Sequence, residues 1–87
     1  MVRFCRKPGV FSRRVRGEWV VLEKDKLHYR ELTETAGFLW EMLNKSVSEG
    51  ELVSKLANEY GVRESEVADD VREFLNKYVK DGFVVQV

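Results

Sequence analysis

From Val10 to Leu32 the apolar residues cluster or alternate over short runs, and beyond Leu32 they recur every three to four positions. The first pattern predicts strands and the second amphipathic helices. Val10 to Val15 leads into Arg16-Gly17, a tight-turn pair, so one strand is expected to end and a hairpin to begin there. Trp19-Val20-Val21-Leu22 is an unbroken aromatic and aliphatic run, the pattern of a central strand covered on both faces. A polar turn at Lys24-Asp25-Lys26 opens onto Leu27-His28-Tyr29-Arg30-Glu31-Leu32, which alternates imperfectly. Leu27, Tyr29 and Glu31 share one face of this third strand, and His28, Arg30 and Leu32 share the other. Such a strand suits a sheet edge. The segment before Pro8 is short and basic and reads as an arm.

Ala36, Leu39, Trp40 and Leu43 stand at i, i+3, i+4 and i+7, which predicts a first helix from about Thr33 to Leu43 with Thr33 or Thr35 as N-cap. Trp40 is its core anchor. Ser48 with Glu51 three residues on is a capping-box pattern. It starts a second helix over Glu49 to Tyr60 that buries Leu52, Val53, Leu56 and Tyr60, with Gly61 as its left-handed stop. A third helix, Glu64 to Lys80, carries an apolar stripe of Val67, Val71, Phe74, Leu75, Tyr78 and Val79 and ends at Asp81-Gly82. The closing Phe83 to Val87 reads either as a strand or as a segment docked on the core. The expected fold class is therefore α+β and winged-helix-turn-helix-like. It has a three-stranded antiparallel sheet followed by three helices, in one domain over residues 1–87, with residues 1–8 as a basic arm.

Composition narrows the chemistry more than the fold. A chain of 87 residues with 44% hydrophobic and 34% charged side chains and one Pro is a folded domain with a single core. Its apolar runs fall far short of the about 18 residues that cross a membrane, and no apolar signal segment opens the chain, so a soluble, cytoplasmic protein is expected. Cys5 is the one cysteine, which excludes an internal disulfide, a CxxC pair or a thiolate cluster made by this chain alone. No base or oxyanion site accompanies it, so it reads as an incidental thiol. His28 is the one histidine, and nothing beside it makes a triad or a two-histidine metal motif. Neither an enzyme nor a cofactor is expected.

The 15 basic and 15 acidic residues cancel, but not locally. Residues 1–30 hold nine basic against three acidic side chains, and the remaining 57 residues reverse the sign with six against twelve. This bears on what a helix-turn-helix could read. A recognition helix needs donors for bases and cations for phosphates, whereas the first half of the third helix offers Glu64, Glu66, Asp69, Asp70 and Glu73 against Arg63 and Arg72. That helix is not expected to read DNA. A nucleic-acid binder would have to use the basic strands, through Arg13, Arg14 and Arg16.

An open strand edge has another use, since an extended peptide can add to it through backbone hydrogen bonds while side-chain pockets select its sequence. Beside the third helix, the third strand would form a groove walled by Leu27 and Tyr29 or by His28 and Arg30, according to which face looks inward. Val67, Asp70, Val71, Phe74 and Leu75 would wall the other side. Val67, Val71, Leu75 and Tyr78 also stand at the spacing that any fold needs to hold the helix down.

Taken together, Leu32-Thr33-Glu34-Thr35-Ala36, Leu39-Trp40, Met42-Leu43, Val47-Ser48, Tyr60-Gly61-Val62, Val67, Asp70-Val71, Phe74-Leu75 and Gly82-Phe83-Val84 resemble the PqqD-like family of recognition elements for ribosomally made, modified peptides. The likeness runs from Pro8-Gly9-Val10 to Val84. It departs from the family pattern at Thr33, where Asn is usual, and at Asn44-Lys45, where a Gly is common. The resemblance implies a non-catalytic adaptor that binds the leader of a precursor peptide as an added antiparallel strand. A modifying enzyme, often a radical S-adenosylmethionine (radical SAM) enzyme, would then receive the core segment. On matching positions the implied peptide-binding residues are Leu27, His28, Tyr29, Arg30, Glu31, Val67, Asp70, Val71, Phe74 and Leu75. Asp70 would take a cation or a backbone N–H from the leader, or serve as a helix-surface carboxylate. The open edge is compatible with a monomer or with an edge-paired dimer.

Overall fold

The computed structural model describes residues 1–23 and 28–87. In chain order the elements are β1 (Phe4–Arg6), β2 (Val10–Val15), β3 (Glu18–Glu23), β4 (His28–Glu31), α1 (Glu34–Met42), α2 (Glu49–Tyr60), α3 (Glu64–Lys80) and β5 (Val84–Gln86). The expected polar turn at Lys24-Asp25-Lys26 and the expected strand residue Leu27 lie outside the described residues.

Strands β2, β3 and β4 form an antiparallel sheet in that order, followed by the three helices, so the α+β expectation holds. The β2–β3 hairpin turns on Arg16 (φ 54°) and Gly17 (φ 84°), the paired positive φ values of a two-residue hairpin turn. Its register sets Phe11 opposite Leu22 and Arg13 opposite Val20, while β3 sets Leu22 opposite Tyr29 and Val20 opposite Glu31. Val21 is fully buried under the helices, but Val20 and Leu22 on the other face are only partly covered. The expectation of a strand covered on both faces is therefore corrected. The helical layer covers one side of the sheet, and no second layer lies on the other among the described residues.

The N-terminal segment is a strand rather than an arm. Strand β1 pairs antiparallel with β5, Cys5 opposite Val85. On its other side Phe4 exchanges backbone bonds with Val47, at 2.7 Å and 2.9 Å. Arginines mask this strand in the sequence. The guanidinium of Arg6 lies 4.6 Å from the Trp40 ring centre and donates to the Trp40 carbonyl at 2.7 Å, so a basic residue is used as packing. Burial lowers the pKa of that guanidinium, and the nearby Glu41 carboxylate opposes the shift.

Leu39, Trp40, Leu43, Leu52, Leu56, Val71, Leu75 and Phe83 make the centre of the core. Thr33 caps α1 by accepting from the Ala36 N–H at 3.1 Å, and Ser48 caps α2 by accepting from the Glu51 N–H at 3.1 Å. Only that half of the predicted box is present, because the Glu51 carboxylate pairs with Arg3 instead. A return bond not foreseen in the sequence opens α3, where Glu66 accepts from the Arg63 N–H at 2.9 Å. Two predicted core positions are exposed. Tyr60 at the end of α2 has its hydroxyl 2.6 Å from that of Thr35, and Val79 falls on the outer side of α3.

Candidate functional site

Of the two outer strands of the three-stranded sheet, β2 and β4, it is β4 that borders a cleft against α3. Leu32 donates its N–H to the Trp19 carbonyl at 2.8 Å, and Arg30 stands opposite Val21, so these two residues turn their backbone groups toward β3. Alternation then turns the N–H and C=O of Tyr29 and Glu31 to the open side. No strand pairs there among the described residues.

Beside this edge lies a cleft of about 290 Å³ between β4, the first turns of α1, and α3. Its apolar floor is Ala36 and Leu39 of α1 with Phe74 and Tyr78 of α3, whose two rings stack 4.2 Å apart. Its polar rim is Asp70, Glu73 and Lys77, with the hydroxyls of Thr33 and Thr35 at the α1 end, and Glu31, whose side chain shares the outer face with that of Tyr29, borders it through its backbone. Arg30 closes one end. Its Nη2 donates to Oδ2 of Asp81, the residue that ends α3, and its guanidinium carbon sits 5.1 Å from the Tyr78 ring centre and 5.4 Å from that of Phe83. Burial pushes the pKa of this guanidinium down, but the Asp81 hydrogen bond and charge, with help from Tyr78, leave it raised overall. Burial also raises the pKa of the Tyr78 phenol, against a lowering influence from Arg30. The end of the cleft is thus a fixed cation flanked by a neutral phenol.

Of the residues singled out in the sequence, the cleft brings together Arg30, Glu31, Asp70 and Phe74. The inward face of β4 is that of Arg30. Tyr29 points to the opposite, outer face and is 63% exposed, so it offers the cleft edge its backbone only. His28 stands opposite Glu23 in the register, and Leu27 lies outside the described residues. Val67, Val71 and Leu75 are buried in the core below the cleft. Sequence reasoning left out Glu73, Lys77 and Tyr78 of α3, although Asp70, Glu73, Phe74 and Lys77 follow the i, i+3, i+4, i+7 spacing of one helix face. Thr33, Thr35, Ala36 and Leu39 carried no comparable signal, because only packing brings the start of α1 to this edge.

A larger cleft of about 520 Å³ lies between the β2–β3 turn and α1. There Glu41 Oε1 accepts from both Trp19 Nε1 at 3.1 Å and Arg14 Nη1 at 3.0 Å. Its central carboxylate is already engaged by these two donors, so it is the weaker candidate. No helix among the described residues is long and apolar enough to cross a membrane.

A family model described as coenzyme PQQ synthesis protein D (PqqD) matches residues 18–84. Two solved structures share the fold. TbiB1 in complex with the TbiA(beta) leader peptide is 24% identical with a TM-score of 0.84, covering 92% of this chain and 93% of that one. Lasso peptide synthetase B1 complexed with the leader peptide is 20% identical with a TM-score of 0.82, covering 94% and 96%. No curated protein matches the chain.

Proposed function

This chain belongs to the PqqD family, and we propose that it works as a non-catalytic adaptor, capturing the leader of a ribosomally made precursor peptide and presenting it to a modifying enzyme. The observation that carries the reading is the open β4 edge, with the backbone groups of Tyr29 and Glu31 turned outward beside an apolar cleft. A peptide added there antiparallel to β4 would exchange backbone bonds with those two residues. Alternate side chains of the peptide would enter the floor made by Leu39, Phe74 and Tyr78. Both fold relatives carry a leader peptide, which supports the same class of ligand here.

The rim suggests what the peptide looks like. Asp70 and Glu73 outnumber Lys77, and Arg30 is already held by Asp81, so a basic leader side chain above the apolar floor is favoured. The enzyme that receives the captured peptide is proposed to be of the radical SAM class. Tethering would raise the effective concentration of the core segment at its active site. The nucleic-acid alternative finds no support, since α3 exposes Glu64, Glu66, Asp69, Asp70 and Glu73, and Arg14 of the basic hairpin is paired with Glu41.

The test is an NMR titration of the ¹⁵N-labelled chain with synthetic leader segments from short precursor reading frames found beside its gene. Amide shifts are expected at Tyr29, Arg30 and Glu31 and along α3 from Asp70 to Tyr78. Shifts confined to β1 or to the second half of α1 would overturn the assignment.

A further inference from the structure

We propose that the outer face of the β2-β3-β4 sheet is a self-complementary surface on which a second copy of the chain packs, about a two-fold axis parallel to β3. This does not depend on the peptide reading. Phe11, Val15 and Tyr29 are 57%, 48% and 63% exposed on that face, with Val20 and Leu22 partly exposed between them. An apolar sheet face left open in this way is a common mark of a protein interface.

The register says which partner fits. Two cross-strand rows run over the face, Phe11–Leu22–Tyr29 and Arg13–Val20–Glu31. Arg13 and Glu31 lie on opposite flanks, two strand spacings or about 10 Å apart. Neither makes an ion pair among the described residues. Rotation by 180° about an axis along β3 exchanges the places of β2 and β4 without shifting either along the strand. Arg13 then faces Glu31 of the second copy, and Glu31 faces its Arg13. In the same arrangement Val20 and Leu22 meet their own copies, and Phe11 meets Tyr29, an aromatic pair. Glu18 meets its own copy at the hairpin end, a like-charge contact that also weakens the pairing. A surface that places opposite charges at equal distances from its central strand matches itself, which is the condition for an isologous dimer. Two strands of six residues and one of four give a flat area of only about 250 Å², so the dimer should be weak and reversible.

Sedimentation velocity on the full chain from about 10 µM to about 1 mM tests the proposal. The average mass should rise with concentration from 10.2 kDa toward twice that value. Arg13→Glu and Glu31→Arg should each stay monomeric, because each sets like charges face to face. An equimolar mixture of the two variants should recover the association, since every mixed contact pairs Arg with Glu. A wild-type chain that stays monomeric up to 1 mM overturns the proposal and leaves the face to another partner, as does a mixture no more associated than either variant. Circular dichroism of both variants checks that they fold.

Discussion

Arg30 in the edge strand β4 reaches across the end of the cleft to Asp81, the residue that closes α3, so one ion pair joins positions 51 residues apart. It sets how far α3 can stand from the open edge. Both side chains are only about a quarter exposed, at 21% and 25%, and the guanidinium also stacks over Tyr78 and Phe83. Arg30→Ala leaves a half-buried carboxylate without its cation and is expected to cost about 1–3 kcal/mol in urea unfolding. Asp81→Asn keeps an acceptor beside Arg30 and should cost less. Equal losses from the two would show that the charge, and not the packing of the guanidinium, holds the pair.

Proline scanning of β4 separates its two edges. Glu31→Pro removes an N–H that points to the open side, a change that an edge strand tolerates. The fold should survive by circular dichroism, while leader-peptide affinity measured by calorimetry should fall about tenfold, the effect of losing roughly one backbone bond. Arg30→Pro removes a bond to β3 and the clasp to Asp81 together, and should unfold the sheet. Unchanged leader affinity in Glu31→Pro would place the peptide elsewhere.

Two glycines at positive φ should respond unequally to Ala. Gly61 (φ 65°) ends α2 in open space, so Gly61→Ala should cost about 1 kcal/mol for backbone strain alone. Gly82 (φ 85°) faces Glu23, which is 4% exposed and bonded through Oε1 to Lys7 Nζ at 3.2 Å. A Cβ at position 82 would stand 2.8 Å from Glu23 Oε2. Gly82→Ala should therefore cost about 2–3 kcal/mol, because strain and overpacking add. Thermal unfolding of the two variants gives the comparison directly.

Duplex DNA should bind poorly at physiological salt. The exposed carboxylates along the first half of α3 repel phosphate, and Arg14 is occupied by Glu41. Fluorescence anisotropy should show weak binding at low salt that disappears by about 0.15 M. Tight binding with a steep salt slope, lost on Arg13→Ala and Arg16→Ala, would restore the nucleic-acid reading.

Local rules were enough for much of this fold. The spacing of Leu52, Val53 and Leu56 and the Ser48 cap place α2 at Glu49–Tyr60, and the stripe from Val67 to Tyr78 places α3 at Glu64–Lys80, with the same ends in the structure. Helix periodicity and capping act within a few residues, so the chain displays them directly. The alternation of Leu27 to Leu32 likewise marked an edge strand. Tertiary structure decided the rest. Strand β1 looks like a basic arm until β5 and Val47 arrive on either side of it, and hydrogen bonds between residues some 80 positions apart leave no local pattern. The sequence left open which face of β4 looks into the cleft, and packing of Val21 and Leu32 under the helices settled it in favour of Arg30. The same packing moved Val67, Val71 and Leu75 into the core and brought Ala36 and Leu39 of α1 to the floor, because a groove belongs to no single element.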